Sequence, residues 1–343
     1  MLTSDFDFEL PAELIAQEPL ARGTSRLLVL DAAGEARHRS VADLPDLLRP
    51  GDLLVVNDTR VLPSRLFARR PDTGGRVELL LVEAHGELEW DALIKPGRKA
   101  RPGTRLELPG GPGVEVVAKR EDDGLYRLRF TEPVEPHLER LGHVPLPPYI
   151  KRADRAEDRE RYQTVYAREP GAIAAPTAGL HFSRELLETL GEHGIQRATV
   201  TLHVGIGTFK PVTAELVHEH RMDAERWQVS EETAAAIGRT RAAGGRVVAV
   251  GTTVVRTLET AALEGGGEVV PGHGSTRLFI TPGFRFQAVD ALLTNFHLPC
   301  STLLMLVSAF AGRDRVLAGY REAVEERYRF YSYGDAMLAE RQS

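Results

Sequence analysis

The chain has 343 residues, 42% hydrophobic and 27% charged, with a formal net charge of −6. That is enough for two domains with cores, in a composition ordinary for a soluble globular protein. A lone cysteine, Cys300, excludes an internal disulfide framework and is read as structural. The longest apolar stretch, near Leu303–Phe310, is too short to cross a bilayer. Met1–Phe8 carries Asp5 and Asp7 and no basic region, so no secretory signal is read there. A cytoplasmic monomer without a membrane partner is the expectation.

Residues 52–56 (DLLVV) predict a buried strand ending in Asn57, Asp58 and Thr59. From about Ser64 to Phe130 the texture changes to short, partly alternating segments: GGRVELLLVE, LEWDALIK, TRLELPG, VEVVAKR and LYRLRF. Gly74-Gly75, Pro96-Gly97, Pro102-Gly103, Gly110-Gly111 and Asp123-Gly124 separate them. This spacing predicts an antiparallel barrel. It is expected to be inserted at 64–145 into a discontinuous α/β domain formed by 1–63 and 146–343. Residues 133–175 read as irregular, with Pro145, Pro147 and Pro148 making a stiff extended connector.

From about residue 176 an α/β pattern is predicted. Ser183 caps a helix that Gly191 and Gly194 stop, and Thr199–Val204 is a strand. Ser230 opens a helix ending at Gly244-Gly245. Arg246–Val250 is a strand feeding a helix at Thr252–Leu263, and Val289–Phe296 is a further strand. Ser301 starts an apolar helix. Val316, Leu317, Tyr320, Val324 and Tyr328 share one face of another.

Five polar, glycine-punctuated segments end apolar runs in this half: APTAGLHF, LHVGIGTF, AVGTTVVR, TNFHLPCSTL and FYSYGDAML. An α/β fold puts its ligand-facing loops at such places, so one composite site is expected. The amides of Gly251, Thr252 and Thr253 fall at a helix N-terminus, suited to a carboxylate or phosphate, or they form an ordinary capped turn. Gly205 and Gly207 let a ring or ribose lie against backbone, or they mark a bent strand end. His181, His203, His220 and His297 are the acid–base candidates, each also readable as a structural histidine. Asp223 and Glu225 can bind a ribose hydroxyl or act as a base, or sit on a polar strand edge. Tyr331 and Tyr333 can stack on a base or form a C-terminal latch. No ligand spacing for a metal is present.

Two basic groups stand against the acidic net charge. Lys95, Arg98, Lys99, Arg101 and Arg105 fall in an acid-free run, and Lys151, Arg152, Arg155, Arg159, Arg161 and Arg168 lie among acids. Local patches of this kind bind phosphates, although a solvated loop has the same composition.

NDTRVLPSRLF (57–67), GHVPLPPYI (142–150) and RYQTVYA (161–167), followed in order by the five segments above, resemble the S-adenosylmethionine:tRNA ribosyltransferase-isomerase family. The resemblance runs from FDFELP (6–11) to Leu338. It implies a barrel-like α/β domain with an inserted β-barrel. It also implies transfer and isomerisation of the ribosyl group of S-adenosylmethionine onto 7-aminomethyl-7-deazaguanine at the tRNA wobble position. The product is epoxyqueuosine-tRNA, with adenine and methionine released. S-adenosylmethionine is then a consumed substrate, and no cofactor is needed.

On that reading His181, His203, Glu225 and His297 are the catalytic candidates. Thr177, Gly179, Gly205, Gly207, Gly251, Thr252, Thr253, Arg256, Asn295, Tyr331, Tyr333 and Asp335 bind substrate, and Lys95, Arg98, Lys99 and Arg101 meet tRNA. Two other readings are a tRNA methyltransferase, which would make S-adenosylhomocysteine, and a non-catalytic RNA-binding module.

Overall fold

The computed structural model describes residues 1–33, 35–120, 124–209 and 212–342. The side chains of Lys99, Thr208 and Phe209, the turn residue Asp123, and Lys210 next to the glycines lie outside the described residues.

The chain opens with the hairpin β1 (Arg26–Leu30) and β2 (Ala36–Ser40), then α1 (Leu44–Leu47), β3 (Leu53–Asn57) and β4 (Thr59–Val61). Six strands follow: β5 (Arg65–Arg69), β6 (Arg76–His85), β7 (Glu89–Lys95), β8 (Arg105–Glu107), β9 (Gly113–Lys119) and β10 (Tyr126–Phe130). They close a barrel in the order β10-β7-β6-β5-β8-β9, with antiparallel pairing. Alternation decides what is inside: Leu66 and Ala68, Leu79 and Leu81, and Trp90, Ala92 and Ile94 share one core.

The segment read as irregular holds α2 (Glu135–Leu141), α3 (Asp158–Arg161) and β11 (Glu169–Ala172). Leu138 of α2 joins the barrel core, and β11 pairs in parallel with β4. None of these pieces is long enough to carry a readable period.

The rest is α4 (Arg184–Glu192), β12 (Gln196–Leu202), β13 (Glu225–Val229), α5 (Glu231–Ala242), β14 (Val247–Val250), α6 (Thr252–Glu264), β15 (Gly272–Thr276), β16 (Ala291–Asn295), α7 (Thr302–Ala311), α8 (Arg313–Glu325) and β17 (Ala336–Glu340). Ser183, Ser230 and Ser301 cap α4, α5 and α7 by accepting backbone N–H bonds. Gly191 lies inside α4 rather than stopping it, because the left-handed turn falls at Gly194, with φ +77°. Tyr328 lies past the end of α8, yet its ring is still fully buried.

The main sheet has the order β15-β13-β12-β3-β14-β16-β17-β1-β2. Its centre, β12, β3, β14 and β16, is parallel throughout. Helices cover both faces, which is why these strands read as unbroken apolar runs. Leu53, Val55, Val247 and Ala249 face a core built with Ile237, Leu258, Leu306 and Tyr320. Leu54, Val56, Val248 and Val250 face the other, with Leu44, Leu186 and Leu190. No helix among the described residues is long and apolar enough to cross a membrane.

Candidate active site

Because the central strands are parallel, their carboxyl ends meet at one edge of the sheet. β3 ends there in Asn57, β14 in the turn at Gly251, β16 in Asn295, and β12 leads into His203 and Val204. In open parallel sheets this edge holds the ligand. β17 runs antiparallel to β16 and pairs Ala336 with Asn295. The preceding loop, Tyr331 and Ser332, therefore arrives at the same edge.

A pocket opens at this edge between Ala174–Ala178, Gly251–Thr253, Thr294, Asn295, His297, Tyr149, Tyr331 and Ser332. Gly251 has φ +90°, which admits glycine readily, and an added Cβ there would stand 3.4 Å from that of Ala178. The N-terminal end of α6 borders the pocket through Thr252 and Thr253 and brings the positive end of the helix dipole there, whereas the Gly251 amide expected as a further donor is spent on the Leu293 carbonyl at 2.7 Å. Asn57 anchors this corner: its Nδ2 donates to the Leu202 carbonyl at 3.0 Å and to Thr253 Oγ1 at 3.2 Å.

Asn295 is 2% exposed. Its Nδ2 donates to the Tyr331 carbonyl at 3.1 Å and to His181 Nε2 at 3.2 Å. Among the described residues its Oδ1 is buried without a partner. A buried polar atom left unpaired costs about 1–3 kcal/mol, so an unpaired acceptor lining a pocket marks a place for a ligand donor. With Nε2 accepting, the neutral His181 ring carries its proton on Nδ1, 3.0 Å from Ser25 Oγ.

The histidines differ in what they touch. His297 lines the pocket and holds Thr294 Oγ1 at 3.0 Å through Nε2. Burial lowers its pKa to about 3. His181 stands behind Asn295, and burial, aided by Arg22, lowers it to about 4. His203 turns away from the pocket, with Nδ1 2.8 Å from Thr59 Oγ1 and its ring packed on Gly171. Burial, then Arg226, lowers it to about 4. All three are therefore neutral at pH 7. His220 packs edge-on against Phe279, 5.4 Å between centroids.

Thr177, Gly251, Thr252, Thr253, Asn295 and Tyr331 line the pocket together with His297. The other expected site residues are held elsewhere. Glu225 forms a buried ion pair with Arg256 and accepts the Gly205 amide at 3.0 Å. Gly207 lies against Asp223, and Gly179 makes room for the Tyr166 hydroxyl. Tyr333 donates to Asp158 at 3.2 Å. Asp335 accepts the amides of Arg26 and Arg329 at 2.9 and 2.8 Å, a staple for the C-terminal loop. Lys95 lines a second hollow beside the barrel, whereas Arg98 and Arg101 are exposed and do not line it.

Tyr149, Tyr162 and Ser332, which the sequence does not single out as site residues, also line the pocket. The Tyr149 ring meets Tyr331 edge-on at 3.9 Å, and its hydroxyl bonds Ser332 Oγ. The PLPPYI run held the only local signal for Tyr149.

Among the described residues, Glu83, His85 and Asp91 are the one group with metal-like spacing. Asp91 there pairs with Arg127 at 2.7 Å and Arg120 at 2.6 Å, so cations already occupy its oxygens.

Fold and site together define an α/β enzyme, with a buried polar pocket at the carboxyl ends of parallel strands and an antiparallel barrel beside it. The chain matches the family described as "Queuosine biosynthesis protein" over residues 3–339. It is 55% identical over 342 residues to the S-adenosylmethionine:tRNA ribosyltransferase-isomerase of Symbiobacterium thermophilum, covering 98% of this chain and 99% of that one. It is 56% identical to the enzyme of the same name from Thermus thermophilus over 344 residues, 97% of this chain and 98% of that one. A solved structure, the S-adenosylmethionine tRNA ribosyltransferase of Thermotoga maritima, is similar at 42% identity and a TM-score of 0.55, covering 98% of this chain and 99% of that one. The chain belongs to the S-adenosylmethionine:tRNA ribosyltransferase-isomerase family of queuosine biosynthesis, and it is an enzyme of that transferase class.

Proposed function

We propose that this enzyme transfers and isomerises the ribosyl group of S-adenosylmethionine onto 7-aminomethyl-7-deazaguanine at the wobble position of tRNA. The products are epoxyqueuosine-tRNA, adenine and methionine. The observation that carries the reading is the pairing, in one pocket, of the α6 amides with the unpartnered Oδ1 of Asn295. The first suits a carboxylate and the second an ammonium, which together match the amino-acid end of S-adenosylmethionine. The pocket has about 60 Å³ of room. That is far below the ~300 Å³ of a whole small-molecule site, so it takes one end of the ligand.

The chemistry asks for a neutral base, because the sulfonium acidifies the adjacent ribose C5′ protons. His297 is neutral and lines the pocket, which makes it the base in this reading. Tyr331 and Tyr149 supply aromatic surface for the unstacked wobble base. S-adenosylmethionine is consumed as substrate, with no further cofactor in the scheme.

The test is to incubate the enzyme with S-adenosylmethionine and tRNA carrying 7-aminomethyl-7-deazaguanine, then analyse small molecules and digested nucleosides by mass spectrometry. Adenine, methionine and an epoxyqueuosine nucleoside are expected. S-adenosylhomocysteine would replace this reading with methyl transfer, and tRNA binding without turnover would replace it with an RNA-binding role.

A further inference from the structure

The outer face of β5, β6 and β7 is divided in two. Leu80, Val82 and Leu93 pack against Ile173 and Ile206 of the main domain. The rest of the same face, with Arg65, Phe67, Arg76, Glu78 and Lys95, lines a cleft of about 970 Å³, which Leu80, Leu93 and Ile206 border at the seam between the two halves. The opposite wall is the connector that includes Pro145–Pro148 and runs on through Ile150, Lys151 and Arg152.

Charge and shape in this cleft differ from those of the whole chain. Five cations, Arg65, Arg76, Lys95, Lys151 and Arg152, face two carboxylates, Glu78 and Asp154, in a protein of net charge −6. Arg65 is taken by Glu78 at 2.9 Å and Arg152 by Asp158 at 2.6 Å. Arg76, Lys95 and Lys151 have no acidic partner among the described residues and are exposed. Phe67 is half-buried on the wall. The Arg76 guanidinium lies 3.8 Å over its ring, and the His143 ring stands edge-on at 4.9 Å. Planar aromatic and guanidinium surface, flanked by free cations, is what a single strand of nucleic acid needs. Its bases stack and its phosphates are neutralised.

The cleft also borders the active-site pocket. Pro148 and Ile150 line the cleft while Tyr149 between them lines the pocket. Ile206 and Val204 divide in the same way. A strand lying in the cleft is therefore one residue's thickness from the pocket.

We propose that this cleft holds the single-stranded loop nucleotides next to the reacting base. Phe67 and Arg76 form the stacking platform, and Lys95 and Lys151 take the phosphates. The proposal rests on the tRNA reading above. It assigns the contact to the β5–β7 face and the proline connector, with Arg98 and Arg101 on the adjoining exposed turn.

The test uses the full chain and an RNA hairpin with an anticodon loop carrying 2-aminopurine beside the wobble position. Binding and 2-aminopurine quenching are measured for the wild type, F67L and the double variant R76A/K151A, each checked for folding by thermal melting. S-adenosylmethionine binding is measured in parallel by calorimetry. F67L is expected to weaken hairpin binding about tenfold and lose the quenching, while binding S-adenosylmethionine normally. R76A/K151A is expected to flatten the slope of log affinity against log salt by about one unit or more.

Wild-type affinity and quenching in F67L, with an unchanged salt slope in R76A/K151A, would overturn the cleft assignment and leave the proposed reaction intact. A wild type that binds no hairpin would also overturn it. Loss of binding in these variants, alongside a wild type that makes no epoxyqueuosine nucleoside, would sustain the cleft and sink the proposed reaction.

Discussion

Glu225 and Arg256 pair between β13 and α6 with each side chain 6% exposed. The carboxylate also accepts the Gly205 amide, and the guanidinium also donates to the Leu278 carbonyl at 3.0 Å. A carboxylate so engaged holds the Gly205 loop in place, because both of its oxygens are in use.

Truncating Glu225 to alanine leaves Arg256 buried and unpaired. Such a change costs about 3–5 kcal/mol, and E225A is expected to lower the urea midpoint accordingly. E225M/R256M, which removes both charges, should recover most of that loss. A Glu225 acting as the general base would give the opposite pattern: a large drop in kcat with stability retained.

Asn295 offers a sharper probe of ligand binding. N295L keeps the side-chain size and removes the unpartnered Oδ1 together with the Nδ2 donor. S-adenosylmethionine binding is expected to weaken about tenfold or more, since a hydrogen bond to a charged group contributes about 1.5–3 kcal/mol. Calorimetry gives the affinity, and equal affinity would remove the ammonium contact from the site.

Gly171 tests His203. Its φ is +144°, and an added Cβ would lie 2.9 Å from the imidazole. G171A must push the ring off Thr59, whereas T59V removes only the hydroxyl partner. If His203 acts by holding the β12 loop, G171A lowers stability by about 1–3 kcal/mol and T59V by about 1 kcal/mol, with modest effects on kcat. A loss of kcat beyond a hundredfold in both, at unchanged stability, would move His203 into the chemistry.

The buried histidines also fix a pH dependence. His181, His203 and His297 have folded pKa values of about 4, 4 and 3. The unfolded value is about 6.5, so below it the unfolded chain binds these protons first. Stability therefore rises with pH through this window, and falls as pH drops from about 6.5 toward about 4 and 3. Urea midpoints of the wild type and H297N across this range isolate one group. H297N should take up about one proton fewer on unfolding. An identical slope in both would mean that His297 is not buried neutral.

The sequence was most legible where the period is long and the neighbours are local. DLLVV and RVVAV read as buried strands because helices cover both sides of them. Ser183, Ser230 and Ser301 read as caps because a cap needs only the next turn. The barrel strands β6 to β10 read from alternation and turn residues, while β5 does not, because the three consecutive apolar residues of RLFAR show no alternation outside the fold.

What the chain determined by itself is the set of polar glycine segments, their placement at the ends of apolar runs, and the family they belong to. Local chemistry settles these, since Gly251 must accept φ +90° and a helix must begin after it. Only the tertiary structure decided which of those residues face one pocket. Tyr331 reaches it because β17 pairs antiparallel with β16, and Tyr333, two residues on, bonds Asp158 instead. Glu225 is engaged by Arg256, 31 positions away, and Asn295 is set by His181, 114 positions away. Such pairings depend on strand order and on which side of a backbone each residue leaves. Sheet pairing across long sequence separations fixes both, and no window of the sequence contains it.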